Sequence, residues 1–388
     1  MPFIGNKPTA LPLSSNDLED NIISTAKIQD NAVTPAKYIE PVPFRNIIIN
    51  GDMSIAQRGT SVTGITGSGY YTVDRFKNSI GTAGTWTNSQ STDVPTGQGF
   101  AKSMKMDCTT ADASLGSGDN IYIRQLIEGQ NLQYLKKGTA NVESLTTSFW
   151  VKSNKTGTYI IELFDRDNTR HINKSYTIDS ANTWEKKTIT FDGDTTGTLN
   201  NDNGSSLEFH MWLGAGSTFT SGTLQTSWGT QNNANRAVGQ VNLADSTANE
   251  FYITGVQLEA GTSASDFEFL PYDVNLGRCQ RYYYLHVSGN NQDVGLGGYY
   301  LSSHMFLNIT LPTTMRTAPS VVYVSGTDYY KISRNGATDN FNDISGGGSA
   351  SLNEISLYNN SQVSGTGGHA GYIRTNNASS SIALNSEL

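Results

Sequence analysis

Leu207-Glu-Phe-His-Met-Trp-Leu213 alternates without a break, with Leu207, Phe209, Met211 and Leu213 on one side and Glu208, His210 and Trp212 on the other. Successive side chains of an extended chain point to opposite faces, so this is a strand with one face in a core. Leu145, Thr147, Phe149 and Val151 alternate in the same way against Thr146, Ser148, Trp150 and Lys152. The stretches 185–191 and 251–258 add further strands, and Val256 and Leu258 are expected to face inward beside Tyr252. One-sided strands of this kind belong to antiparallel sheets packed face to face. Breaks rich in Gly, Asn and Asp, such as Asp192-Gly-Asp-Thr-Thr-Gly197 and Asn200-Asn-Asp-Asn-Gly204, read as turns. About ten such strands over 44–274 predict a β-sandwich of jelly-roll type. Helix signals are nearly absent; Gln125 to Leu135 is the best place for one short turn.

The composition fits an all-β chain and excludes several functions. The chain has 388 residues, with 26 Lys+Arg against 34 Asp+Glu and a net charge of −8, so it carries no electrostatic footprint for nucleic acid. Aromatic residues make up 10% of it, which argues against disorder. No apolar run approaches the ~18 residues of a membrane span. Lys7 and Pro8 stand where a secretion signal needs an apolar stretch, so export by that route is not expected. Cys108 and Cys279 form no paired motif; their spacing leaves a bridge open, and two buried thiols in a reducing compartment are the expectation.

Residues 1–43 differ from the rest. Asp20-Asn-Ile-Ile-Ser-Thr-Ala-Lys-Ile28 aligns with Asp30-Asn-Ala-Val-Thr-Pro-Ala-Lys-Tyr38, a repeat every ten residues. Units so short cannot bury an apolar face alone, so the pattern predicts a stalk in which several chains share one core. Pro41 and Pro43 mark its end.

A smaller β-rich domain is expected over 275–388, opened by Arg278-Cys-Gln-Arg-Tyr-Tyr-Tyr-Leu285 and including strands at 305–311 and 320–324. Gly346-Gly-Gly-Ser349 and Gly365-Thr-Gly-Gly-His369 read as loop tips, and the small, polar last ten residues as poorly ordered.

Several stretches, in order, resemble the tail fibres of bacteriophages. Arg45-Asn-Ile-Ile-Ile-Asn-Gly-Asp-Met-Ser-Ile-Ala-Gln-Arg-Gly59 and Tyr71-Thr-Val-Asp-Arg-Phe76 are similar to the opening of the family's β-sandwich. Thr254-Gly-Val-Gln-Leu-Glu-Ala-Gly261, Phe267-Glu-Phe-Leu-Pro271 and Cys279-Gln-Arg-Tyr-Tyr283 resemble its closing strand and its join to the tip. The ten-residue repeat is similar to stalk repeats of such fibres, and Leu311-Pro-Thr-Thr-Met-Arg-Thr-Ala-Pro319 to a stretch of their tips. Phe76 stands where the family often has tryptophan, and the short N-terminal segment lacks the larger anchoring domain of some members. The resemblance implies a homotrimer in the virion, made in the host cytoplasm, docked on a tail adaptor or nozzle protein by its N-terminus. Phe3, Ile4, Lys7 and Leu11 are the docking candidates. It implies a bacterial surface glycan or protein as partner, bound without turnover. The residues themselves show that Ile47 to Ile49 can form a short strand ended by the Asn50-Gly51 turn.

No catalytic signature stands out, and no cofactor or metal is expected. His171, His210, His286, His304 and His369 are scattered, and there is no GxSxG and no phosphate loop. Asp192 and Asp194 lack the remaining ligands of a calcium loop. Asp165 and Asp167 could pair as glycosidase carboxylates, but Arg166 between them favours a hairpin tip. The rival functions are a depolymerase that cuts capsule or lipopolysaccharide, and a purely structural adaptor. The receptor-binding candidates are aromatic. Trp150 and Trp212 lie on the polar sides of their strands, where an exposed ring can stack on a sugar or be covered by loops or another subunit. Tyr299-Tyr300 and Tyr329-Tyr330 each place one ring outward, as receptor contact or subunit interface, with His369 in a nearby glycine-rich loop.

Overall fold

The computed structural model describes residues 44–388. Thirteen strands build a jelly-roll-like sandwich: β1 (Ser61–Ile65), β2 (Gly69–Tyr70), β3 (Lys77–Gly81), β4 (Thr85–Ser91), β5 (Ser103–Thr110), β6 (Asn120–Glu128), β7 (Leu145–Ser153), β8 (Gly157–Asp165), β9 (Arg170–Ile178), β10 (Glu185–Phe191), β11 (Ser205–Ala215), β12 (Gly229–Thr230) and β13 (Glu250–Ala260). The first sheet runs β1-β4-β5-β13-β7-β10 and the second β12-β9-β8-β11-β6-β3-β2. From β5 to β8 each strand crosses to the opposite sheet, which wraps the two around a shared core. Phe149, Val151, Ile161, Leu163, Phe209, Met211, Phe251 and Ile253 fill it, so the alternation at 207–213 places Leu207, Phe209, Met211 and Leu213 inward as expected.

The Asn50-Gly51 turn locks onto β13. A side chain at Gly51 would lie 2.0 Å from the Val256 carbonyl, so the two backbones meet only because glycine stands there. Asn46 accepts from the backbone N–H groups of Ile48 and Leu258 at 3.0 and 3.1 Å and donates to the Val256 carbonyl at 3.1 Å. One backbone bond, from the Ile47 N–H to the Leu258 carbonyl at 2.8 Å, joins these side-chain bonds, and the segment bends at Ile48 into the turn at Ile49, so it is not the strand expected.

A β-bulge in β13 between Thr254 and Gln257 has Gly255 in the left-handed region at φ 61°. Its extra residue reverses parity. Phe251 and Ile253 point inward before it, Val256 and Leu258 after it, and Tyr252 therefore points outward, against expectation.

Helix α1 (Ser217–Thr220) is a single turn, and α2 (Tyr272–Gln280) leads into the C-terminal sheets, so the stretch from Arg278 that opens the smaller β region begins on a helix. Pro271 precedes its first turn and Asp273 lies within it, while Cys279 packs with Ile49, Ile55 and Tyr282 in a small junction core. Cys108 and Cys279 are both free and buried.

The C-terminal strands are β14 (Tyr283–Ser288), β15 (Asp293–Leu301), β16 (His304–Thr310), β17 (Ser320–Tyr323), β18 (Tyr330–Arg334), β19 (Ala337–Phe341), β20 (Ser345–Ala350), β21 (Glu354–Asn359), β22 (Ala370–Thr375) and β23 (Ser381–Asn385). They form a sheet β14-β23-β17 and a sheet β19-β18-β22-β15-β16-β21-β20. Two expectations are corrected here. Residues 346–349 belong to edge strand β20, and the chain's last residues are anchored. Ile382 and Leu384 are buried in central strand β23, and the Glu387 carboxylate pairs with Arg75 and Arg58. Gly365–His369 is the irregular loop expected. Among the described residues no helix is long and apolar enough to cross a membrane.

Candidate functional site

The outward face of the second sandwich sheet carries Trp212, Glu162, Glu208 and His210, yet it is closed. Residues 216–245 fold over it: Phe219 lies 5.4 Å from the Trp212 ring, and Ala237 packs down on Trp212 and on Ile160 of β8. Trp212 is fully buried, which removes it as a receptor contact. Beneath the cover Glu162 accepts two hydrogen bonds of 2.9 Å from Arg236, one of 3.0 Å from Trp212 Nε1, one of 3.1 Å from His171 Nδ1 and one of 3.0 Å from His210 Nδ1. Burial works against its charge, but Arg236 and the two histidines hold the carboxyl well below the usual carboxylate range. Glu208 is buried too, and His210, Arg124 and Arg166 likewise outweigh burial and lower it. His210 Nε2 meets Glu208 at 2.7 Å, so its ring bridges the two carboxylates. Every partner in this network is internal. The Glu162 and Glu208 carboxylates are taken up by the side chains around them.

The outward face of the first sheet is open around Trp150. Gln98, Phe100, Ser148, Trp150, Lys186, Asp266, Phe267 and Phe269, with Gly97 and Gly255, line a groove of about 340 Å3, at the low end of ligand-site volumes. Register places Trp150 directly opposite Lys186 on β10 and Thr254 on β13. Phe100, Phe267 and Phe269 cluster with ring centres 4.9 to 5.1 Å apart, and Phe269 remains 51% exposed. The bulge makes this possible: a Cβ on Gly255 would lie 2.5 Å from the Phe100 ring. Trp150 Nε1, Ser148 Oγ, the Gln98 amide, Lys186 Nζ and the Asp266 carboxylate have no intramolecular hydrogen-bond partner among the described residues. Aromatic faces thus stand beside uncommitted donors and acceptors.

A larger cavity of about 520 Å3 lies beside Phe44, Tyr134, Arg278 and Tyr282. Several of its polar groups are bonded internally: Gln125 bonds Ile49, Gln130 and Arg281 bond Glu128, and Arg278 bonds the Asn46 carbonyl.

Tyr299 and Tyr330 are buried; Tyr299 donates to Asp339 and Tyr330 to the Val324 carbonyl, so both leave the receptor-contact set. Tyr300 is 69% exposed, as the alternation within its pair requires, and Tyr329 and His369 are half-buried. Asp165 pairs with Lys137, and Asp167 bonds Asn200 at the β8–β9 hairpin, so they do not face each other across a cleft. Asp194 is taken by Arg170 and Lys137, and no metal-binding group of His, Cys, Asp or Glu occurs among the described residues. Phe3, Ile4, Lys7 and Leu11 lie outside the described residues, as does the repeat. Phe269, Gln98, Lys186 and Asp266 went unnoticed in the sequence, because only strand register and the 266–269 return bring them to Trp150.

No protein-family model and no curated protein matches the chain. Solved structures with partial similarity include the enzymatically active domain of tailspike protein 4 of bacteriophage CBA120, at 13% identity over 56% of this chain and 22% of that one, TM-score 0.31. The family 11 carbohydrate-binding module from Clostridium thermocellum, solved with a mixed-linked tetrasaccharide, matches at 14% identity over 53% of this chain and 98% of the module, TM-score 0.25. A xylan-binding domain from Paenibacillus barcinonensis matches at 10% identity over 53% and 94%, TM-score 0.24. The chain thus spans about a fifth of the tailspike domain. At these scores the similarity carries nothing about ligand or activity.

Proposed function

We propose that this chain is a bacteriophage tail fibre, several copies of which display a glycan-binding sandwich to the bacterial surface. The observation that carries the binding reading is the Trp150 groove. A sugar ring offers a flat array of C–H groups and a rim of hydroxyls; Trp150 and Phe269 suit the first, and Gln98, Ser148, Lys186 and Asp266 suit the second. The fibre reading rests on the ordered motifs from Arg45 to Pro319 and on the ten-residue repeat. Binding proceeds without turnover, and weak single sites gain avidity when several chains act together. The N-terminal segment docks on a tail adaptor, which places the chain in the virion.

The test is an array of bacterial surface oligosaccharides probed with the full chain and with Trp150→Ala. Retention of a subset of glycans by the parent, weakened at least tenfold in the variant, is the expected result. Equal retention by both would remove the groove from the proposal. Steady release of new reducing ends from a retained polysaccharide would replace binding with depolymerase activity.

A further inference from the structure

Nine of the thirteen large apolar side chains exposed on the described surface lie between residues 296 and 372, in the C-terminal β region. Five side chains occupy one place, the outward face of the sheet β19-β18-β22-β15-β16-β21-β20. Leu296 stands directly opposite Tyr372, and Phe306 directly opposite Tyr358, in neighbouring rows. Tyr300 lies beyond them, its ring 6.4 Å from Phe306. Leu296 and Tyr300 are each 69% exposed, Tyr372 57% and Phe306 44%. The inward residues of the same strands, Met305, Leu307, Ile332, Leu357 and Ile373, already fill that region's core, so the outward stripe is a second apolar surface on one sheet. A solvated sheet face is ordinarily polar, and a contiguous apolar patch of this kind marks an interface.

We infer that this face is covered by another copy of the same chain. Charge complementarity supports that occupant. One row beyond the stripe, Lys331 lies toward one edge of the sheet and Glu354 toward the other, both pointing outward. Neither side chain has a partner among the described residues, whereas Arg374, beside Lys331, already pairs with Asp293. Four strand spacings separate Lys331 from Glu354, about 19 Å, too far to meet within a chain. When copies stand side by side pointing the same way, the Lys331 edge of one meets the Glu354 edge of the next, and the stripes face a common axis. Such a head-to-tail contact, repeated by a rotation that closes, gives a ring. Tyr300 is then a subunit contact, and sugar binding is left to the sandwich. The inference extends the multi-chain part of the proposed function and does not depend on the Trp150 groove.

The experiment uses the full chain with Phe306→Cys, with Thr188→Cys on the outward face of β10 as control. Mild oxidation and a non-reducing gel are expected to give covalently linked chains for Phe306→Cys at several times the control yield, and adding Leu296→Asp to Phe306→Cys is expected to abolish the excess. Equal yields in the two single variants overturn the inference, as does an excess that survives Leu296→Asp. Sedimentation of the parent as a single chain at micromolar concentration overturns it as well. Glycan retention, read separately with Trp150→Ala, fails or succeeds independently of these outcomes.

Discussion

Trp150 and Trp212 occupy equivalent places: each points away from the core from the middle of a sandwich strand, flanked by alternating polar neighbours. One ends in an open groove with uncommitted polar groups; the other is sealed under residues 216–245 against Ile160, Phe219 and Ala237. The difference lies in what is laid over each sheet. Where a segment covers the face, the polar side chains beneath must satisfy one another, and Glu162, Glu208, His210 and Arg236 do so completely. Where no segment covers it, their donors and acceptors have no partner among the described residues.

Replacing each tryptophan by alanine should separate the two faces most sharply. Trp212→Ala empties a filled pocket and takes one hydrogen-bond donor from Glu162, so a loss of about 3–5 kcal/mol is expected in thermal unfolding. Glu162→Gln comes next, at about 3 kcal/mol, because it leaves Arg236 and His210 buried beside an uncharged group. A drop below 1 kcal/mol in either case would mean that the cover opens in solution and that the two faces are alike.

Acid should weaken the closed face. Glu162 and Glu208 are lowered in the fold, so the stability they contribute is present above their ordinary value of 4.5 and is lost as pH falls below it toward their folded values. Asp74 works the other way. Burial raises it from 3.8 to about 6 against the pull of Arg58 and Gln57, so its contribution is full below 3.8 and is lost as pH rises through about 6. Unfolding monitored against pH should therefore show greatest stability near pH 5, and Asp74→Asn should flatten the fall toward neutrality. An unchanged profile in Asp74→Asn would show that this carboxyl does not control that limb.

How much of this was legible follows from the same contrast. Alternation at 207–213 and 145–152 reports which side of a strand meets the core, so the sandwich was readable. It does not report what lies on the far side. The covering segment 216–245 is mostly small and polar, with no periodicity, so the burial of Trp212 was hidden. One signal was available: in Tyr159-Ile-Ile-Glu-Leu-Phe164 a single charge interrupts an apolar run, which marks a strand buried on both faces. The bulge at Gly255 was invisible to strict alternation, and it misplaced Tyr252. Helix α2 was missed because its apolar positions serve the junction core and make no regular stripe.

Gly255→Ala tests whether the open face depends on that bulge. The substitution forces a left-handed alanine and a 2.5 Å approach to the Phe100 ring, so a cost of about 1–3 kcal/mol is expected, together with loss of glycan retention as Phe100 leaves Phe267 and Phe269. Full retention with normal stability would show that the aromatic cluster does not need this seat.

The smallest effect is the most telling. Trp150→Ala removes a half-exposed ring whose indole N–H has no internal partner, so unfolding should shift by no more than about 0.5 kcal/mol. Its effect belongs to binding, where a tenfold loss equals about 1.4 kcal/mol. A stability loss as large as that of Trp212→Ala would mean that another segment or another copy of the chain covers Trp150 as well. The groove would then be a subunit contact, and both sandwich faces would have the same role.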